Sequence, residues 1–229
     1  MSASLSRPIL VHASSQDILL PMRTSLLVLA VAACAGNQPT APAESSALGS
    51  VGPHELRKVA EFGAVRDRGA RSRALFGEMA RVLMHPRCIN CHPDGDTPHQ
   101  RMTMELHDPP VVRGPGDNGV PGQECGTCHQ DRNQELTRVP GAPKWHLAPI
   151  AMAWVGQTSS HICNQMKDPK RNGGRTLAQI VEHNGHDELV AWGWKPGADR
   201  EPAPGTQAEF GALSAAWVAT GAECPEESR

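Results

Sequence analysis

The chain has 229 residues and a formal net charge of −2, and Leu, Ile, Val and Phe supply only 41 of them, with three Phe and no Tyr. Chains so poor in core formers are disordered when their net charge is high; here the charge is close to zero, so a group other than side chains is expected to fill part of the interior. The same balance excludes the basic face of a nucleic-acid binder, and the length suits one domain with a tail.

Met22 to Cys34 reads MRTSLLVLAVAAC: one Arg, an apolar run from Leu26 to Ala33, and small residues before a cysteine. The run is too short to span a bilayer and has the layout of an export signal. Val31-Ala32-Ala33-Cys34 matches a bacterial lipobox, in which the cysteine is lipid-modified and becomes the first mature residue. An ordinary signal with a chance cysteine is the alternative. Residues 1–34 are therefore expected to be a signal peptide, with Met22 an alternative start. Residues 35–53, rich in Ala, Pro, Ser and Gly, read as a flexible tether from a membrane surface, and residues 54–229 as the working domain. Export to an oxidising space such as the periplasm leaves few thiols free, so each remaining cysteine is expected to have a bonded fate.

His54 to Met84 is helix-compatible: Leu56, Val59, Phe62, Leu75, Phe76, Met79, Val82 and Leu83 recur near helical spacing, with Gly69 as a break and Pro86 as the stop. Residues 93–124 and 131–145 carry Pro, Gly and Asp without periodicity and read as loop. Thr158 to Asp168 reads as a short helix stopped before Pro169. Thr176 to Val190 reads as another, with Thr176 and Gln179 in capping-box positions. After a loop over 193–205, Thr206 to Gly221 is the clearest helix. Thr206 and Glu209 form a capping box, Phe210, Leu213 and Trp217 make one stripe, and Gly221 is the stop. No segment alternates with period two, so the expected fold class is mostly α with long loops.

Two Cys-x-x-Cys-His motifs stand out: Cys88-Ile89-Asn90-Cys91-His92 and Cys125-Gly126-Thr127-Cys128-His129. This pattern is a signature of c-type haem attachment. Two thiols three positions apart on a helical turn reach the two vinyl groups on one porphyrin edge, and the histidine that follows falls under the ring as an iron ligand. Two covalent haem c groups are the expectation, held by Cys88, Cys91, Cys125 and Cys128 and ligated by His92 and His129. Zinc is one alternative, although zinc ribbons separate their Cys pairs by about 15–20 residues and 33 residues lie between Cys91 and Cys125 here. Redox-active dithiols are another, but a thioredoxin-like motif follows a strand in a βαβ unit, which the pattern lacks.

On these motifs the chain resembles a cytochrome c. The resemblance implies a small helical domain packed around covalent haem, and one-electron transfer in the periplasm; porphyrin plates would also account for the thin core. The motifs begin only 37 residues apart, too close for two complete tandem domains, so the haems are expected to share one body. Longer phrases, HPRCINCHPDGD (85–96), VPGAPKWHLAPIAMAW (139–154), DPKRNGG (168–174) and EPAPGTQAEF (201–210), are similar to exported haem proteins labelled isoquinoline 1-oxidoreductase subunit. That label implies electron exchange with a molybdenum hydroxylase. The plant-type C-x4-C-x2-C iron–sulfur spacing is absent and the chain is too short for a molybdopterin-binding subunit. The implied role is therefore a relay between a redox enzyme and another cytochrome or respiratory-chain component. The rivals are a dihaem peroxidase-like enzyme, which needs an open iron position below acid–base groups, and a non-haem exported domain holding zinc or disulfides.

Distal iron ligands are open among several residues. His146, 17 residues past His129, leads, with Met152 competing nearby; His99, seven residues past His92, follows, with Met102 and Met104 behind it. His183 sits mid-helix beside Ile180 and Val181, where a core role and ligation are both open. His85, tethered beside its own motif, reads as a cap or packing residue, and His12, His54, His107, His161 and His186 as solvated or structural. Cys163 and Cys224 remain after the haems and the lipid. Even number and an oxidising compartment suggest a disulfide between them; two buried thiols are the alternative. The five Trp read as pocket walls and core.

Overall fold

The computed structural model describes residues 48–197 and 199–227; the expected signal peptide, Cys34 and most of the tether lie outside them. The described chain is mostly helical. In order it forms α1 (Arg68–Leu83), α2 (Pro86–Ile89), β1 (His99–Gln100), β2 (Glu105–Leu106), β3 (Gly119–Val120), β4 (Gln123–Glu124), α3 (Cys125–Cys128), α4 (Ser159–Lys167), α5 (Leu177–His186), α6 (Glu188–Ala191) and α7 (Gln207–Ala219). The strands make two antiparallel two-residue hairpins, β1–β2 and β3–β4, inside the stretch expected to be loop. No described helix is long and apolar enough to cross a membrane.

Boundaries follow caps. The expected helix over 54–84 is split: a 3₁₀ turn runs Val59–Ala64, and α1 starts only after Asp67, whose side chain accepts from the Ala70 N–H. Gly69 therefore falls in the first turn of α1 instead of breaking it. The expected helix over 176–190 splits at Asp187, which ends α5 and caps α6 by accepting from the N–H groups of Leu189 and Val190. The Thr176–Gln179 capping box is complete. At α7 only half a box forms: Thr206 accepts from the Glu209 N–H, but the Glu209 carboxylate takes the Thr206 hydroxyl and the Lys58 ammonium instead of the Thr206 N–H.

The core is built on α7, which packs against both α1 and α5. Phe210, Leu213 and Trp217 are buried along it, and Phe76 of α1 tilts onto Trp217 with centroids 5.2 Å apart. On its other side α7 approaches α5 backbone to backbone. Asn184 donates to Ser214 Oγ at 3.0 Å, and a Cβ on Gly211 would lie 2.7 Å from Gly185 Cα. A disulfide joins Cys163 in α4 to Cys224 beyond α7. The end of the expected tether belongs to this body: Leu48 packs on the core, Arg57 donates to the Gly49 carbonyl, and Arg81 donates to the Gly52 carbonyl at 2.7 Å. Buried Glu78 holds both arginines, at 2.5 and 2.7 Å.

Loops 93–124 and 139–154 are clasped by Arg113, which is buried although charged. Its guanidinium donates to Asp117 Oδ1 at 2.6 Å, to the Gly95 carbonyl at 3.2 Å and to the Ala148 carbonyl, with Asp96 at 3.8 Å. Irregular backbone is thereby satisfied without regular secondary structure. The Gly185–Gly211 contact gives a direct test. Gly211→Ala should force α5 and α7 apart and lower unfolding free energy by about 1–3 kcal/mol in urea titration; an unchanged midpoint would show that the helices do not meet there.

Candidate functional site

Each motif occupies one short helical turn. His85 caps α2, its Nδ1 accepting from the Arg87 N–H at 3.2 Å, and Pro86 opens the turn. Backbone bonds from Cys91 to Cys88 and from His92 to Ile89 carry the turn through the motif. The second motif lies on α3, closed by the His129 N–H on the Cys125 carbonyl at 2.9 Å. All four motif thiols are unbonded. Burial, with a smaller push from the neighbouring Cys91, raises the Cys88 thiol to about 12. Burial, with a smaller push from Cys125, raises Cys91 to about 11. Burial also raises Cys125.

The motif histidines share one arrangement. His92 Nδ1–H donates to the Met152 carbonyl at 2.7 Å, and His129 Nδ1–H donates to the Pro140 carbonyl at 2.8 Å. A carbonyl only accepts, so each Nδ1 carries the proton and each Nε2 keeps its lone pair. Each imidazole lies flat on an indole: His92 on Trp154 with centroids 3.4 Å apart, His129 on Trp145 with centroids 4.5 Å apart. Burial lowers the pKa of both rings, His92 to about 3, which keeps both neutral at ordinary pH.

A cleft of about 690 Å³ lies between Leu48–Ser50 and α1, but its Arg57 and Arg81 are committed to Glu78 and to main-chain oxygens. A smaller, largely apolar cavity of about 130 Å³ is lined by Cys88, Cys91 and His92 together with His146, Met152 and His183. Trp145, Trp154 and Trp192 form walls, and Arg87 and Arg175 add positive charge. Trp145 thus faces this cavity while lying flat on the histidine of the second motif.

Of the expected distal candidates, His146, Met152 and His183 reach this cavity, whereas His99, Met102 and Met104 do not line it. His99 lies in β1 opposite Leu106, and its Nδ1 is buried without a partner. His107, expected to be solvated or structural, is instead brought to His129, ring centroids 5.8 Å apart at 70°. Its Nδ1–H donates to the Pro109 carbonyl at 2.8 Å. No local signal marked His107 or Arg113; the hairpin and the clasp that place them are non-local. Among the described residues no group of three or more His, Cys, Asp or Glu gathers as a metal site made of side chains alone. No protein family, curated protein or solved structure matches this chain.

Asp187 links the cavity to the α5–α6 corner. Its Oδ2 accepts from His183 Nδ1 at 3.2 Å while Oδ1 accepts from the Leu189 and Val190 N–H groups. The hydrogen bond from His183, together with those main-chain bonds, lowers the carboxyl from 3.8 to about 2. The unfolded chain takes up this proton near 3.8, and the folded chain only near 2. Asp187 therefore stabilises the fold above 3.8, and that stability drains away as pH falls to about 2. The destabilisation caused by Asp187→Asn should accordingly shrink across that window in urea titrations; a penalty independent of pH would contradict the hydrogen bonding described.

Proposed function

We propose that this protein is an exported electron carrier holding two haem c groups, one on Cys88, Cys91 and His92 and the other on Cys125, Cys128 and His129. The observation that carries this reading is the duplicated histidine arrangement: beside each pair of unbonded thiols, an imidazole commits Nδ1 to a main-chain carbonyl and leaves Nε2 free. Haem c, when bound, supplies a one-electron ferric–ferrous couple. The chain's own groups do the rest. Met152 and Pro140 set the tautomer and the ring orientation through their carbonyls. Trp154 and Trp145 brace the two imidazoles against the domain and keep water from them. Arg87 and Arg175 suit the propionate charges of a porphyrin at the first motif. Trp145, which lines the cavity of the first motif and lies flat on the histidine of the second, links the two motifs and favours exchange between the two groups.

Export and a lipid on Cys34 would hold the carrier at the periplasmic face of a membrane. There it would pass electrons between a redox enzyme, such as a molybdenum hydroxylase, and another cytochrome or respiratory-chain component. Cys34→Ala should abolish palmitate labelling and move the protein from the membrane fraction to the soluble one; labelling that persists would contradict lipidation. For the electron-carrier role, spectroelectrochemical titration of protein made with c-type maturation machinery should take up two electrons per chain. The Cys88→Ser/Cys91→Ser variant should take up one. A protein with no reducible chromophore would overturn the proposal.

A further inference from the structure

We infer that each haem iron is ligated by a second histidine: His183 completes the site of His92, and His107 completes the site of His129. This rests on the haem reading above. At the second motif, the His107 and His129 rings stand with centroids 5.8 Å apart and planes at 70°. A metal–imidazole bond is about 2.0–2.1 Å, so two rings sharing one metal stand about 6 Å apart, centre to centre. His107 is held in place: its N–H donates to the Pro98 carbonyl at 2.9 Å, fixing it at the end of the β1–β2 hairpin, and its Nδ1–H is on Pro109. Nε2 is left free, as on His129.

At the first motif, His183 lines the cavity with His92. Its Nδ1–H is on Asp187, a carboxylate itself fixed by two main-chain N–H groups, and this again leaves Nε2 as the free atom. A carboxylate on Nδ1 of a metal-bound imidazole raises its basicity and locks its orientation. The α5 helix that carries His183 is pinned to α7 at Gly185–Gly211. His107 and His129 are matched by their ring distance, and His183 and His92 by the cavity they share; in all four Nδ1 donates to an oxygen and Nε2 is free.

The other candidates fit less well. Met152 lines the same cavity, but its main-chain oxygen is committed to His92 Nδ1, which holds its backbone on the side of that ring away from Nε2. His146 shares the cavity wall and also donates through Nδ1, to the Lys144 carbonyl, but it sits on a loop, whereas His183 is carried by a packed helix and anchored by a carboxylate. His99 Nδ1 has no acceptor, so nothing fixes its tautomer. His85 caps α2, His54 faces Glu201, His161 meets Arg171, and His186 faces Glu182.

The test uses the full-length holoprotein and its His183→Ala, His107→Ala and His146→Ala variants, with haem counted by pyridine haemochrome in each. Wild type should be fully low-spin in the ferric state by electron paramagnetic resonance and should not bind carbon monoxide when reduced. His183→Ala and His107→Ala should each keep two haems, turn one of them high-spin, and bind one carbon monoxide per chain. Added imidazole should restore the low-spin signal, which a merely structural role would not allow. His146→Ala should leave both irons low-spin and should bind no carbon monoxide when reduced. Carbon monoxide binding by wild type, or unchanged spectra in either of the first two variants, would overturn the assignment. A wild-type protein without haem would instead fail at the haemochrome count, and with it the reading on which the assignment rests. A His183→Met variant that loads both haems but shifts one potential upward supports ligation at that position independently of the alanine variants.

Discussion

The hydrogen bonds from His92 to the Met152 carbonyl and from His129 to the Pro140 carbonyl govern the rest of the site. Both acceptors belong to the single irregular segment 139–154. That segment is bound to the first motif at three points: Ala148 N–H on the Cys91 carbonyl, Trp154 N–H on the His92 carbonyl, and the His92 ring on Met152. It also supplies both indoles that lie against the motif histidines. One strip of backbone therefore serves both motifs, so motifs 37 residues apart belong to one body without a domain each. A buried hydrogen-bonding group left without a partner costs about 1–3 kcal/mol. Displacing this strip would strand several such groups at once, so its position is strongly determined even though it contains only a single 3₁₀ turn.

Strength on the other side comes from α1, α5 and α7. Their contact is close because small residues meet at Gly185 and Gly211, and the Cys163–Cys224 bridge ties α4 to the chain beyond α7. A bridge closing a loop of this length restricts the unfolded ensemble and adds on the order of 2–4 kcal/mol. The polypeptide's core is gathered here, and the cavity of the first motif borders it: Leu83, Met166, Ile180 and Phe210 face that cavity alongside indoles, imidazoles, thiols and two arginines. On the proposed haem reading, a shortage of Leu, Ile, Val and Phe is the composition expected of a chain whose interior is completed by a prosthetic group.

Much of the helical frame was legible in the sequence because caps and stripes are local. Thr158, Thr176 and Thr206 each cap the helix they were expected to start, and the Phe210–Leu213–Trp217 stripe is buried. The misplaced boundaries have local causes too: Asp67 and Asp187 are strong caps inside segments that hydrophobic spacing alone reads as continuous helix. The motif turns were legible from spacing, but their surroundings were not. His107 reads as a loop histidine until a two-residue hairpin carries it to His129, and His99, put forward for its distance along the chain, pairs with Leu106 in that hairpin and does not line the cavity. Chain distance limits reach without giving direction. Arg113 sits among Gly, Pro and Asp residues that mimic turn chemistry, and only the fold reveals that Asp96 and Asp117 are its partners.

The central claim is that iron porphyrin is joined through sulfur at positions 88, 91, 125 and 128. Intact mass spectrometry under denaturing conditions, on mature protein from a host with c-type maturation, tests it most directly. The account predicts a mass equal to polypeptide plus lipid plus two haems that remain attached when the fold is lost. A mass equal to polypeptide and lipid alone would contradict it.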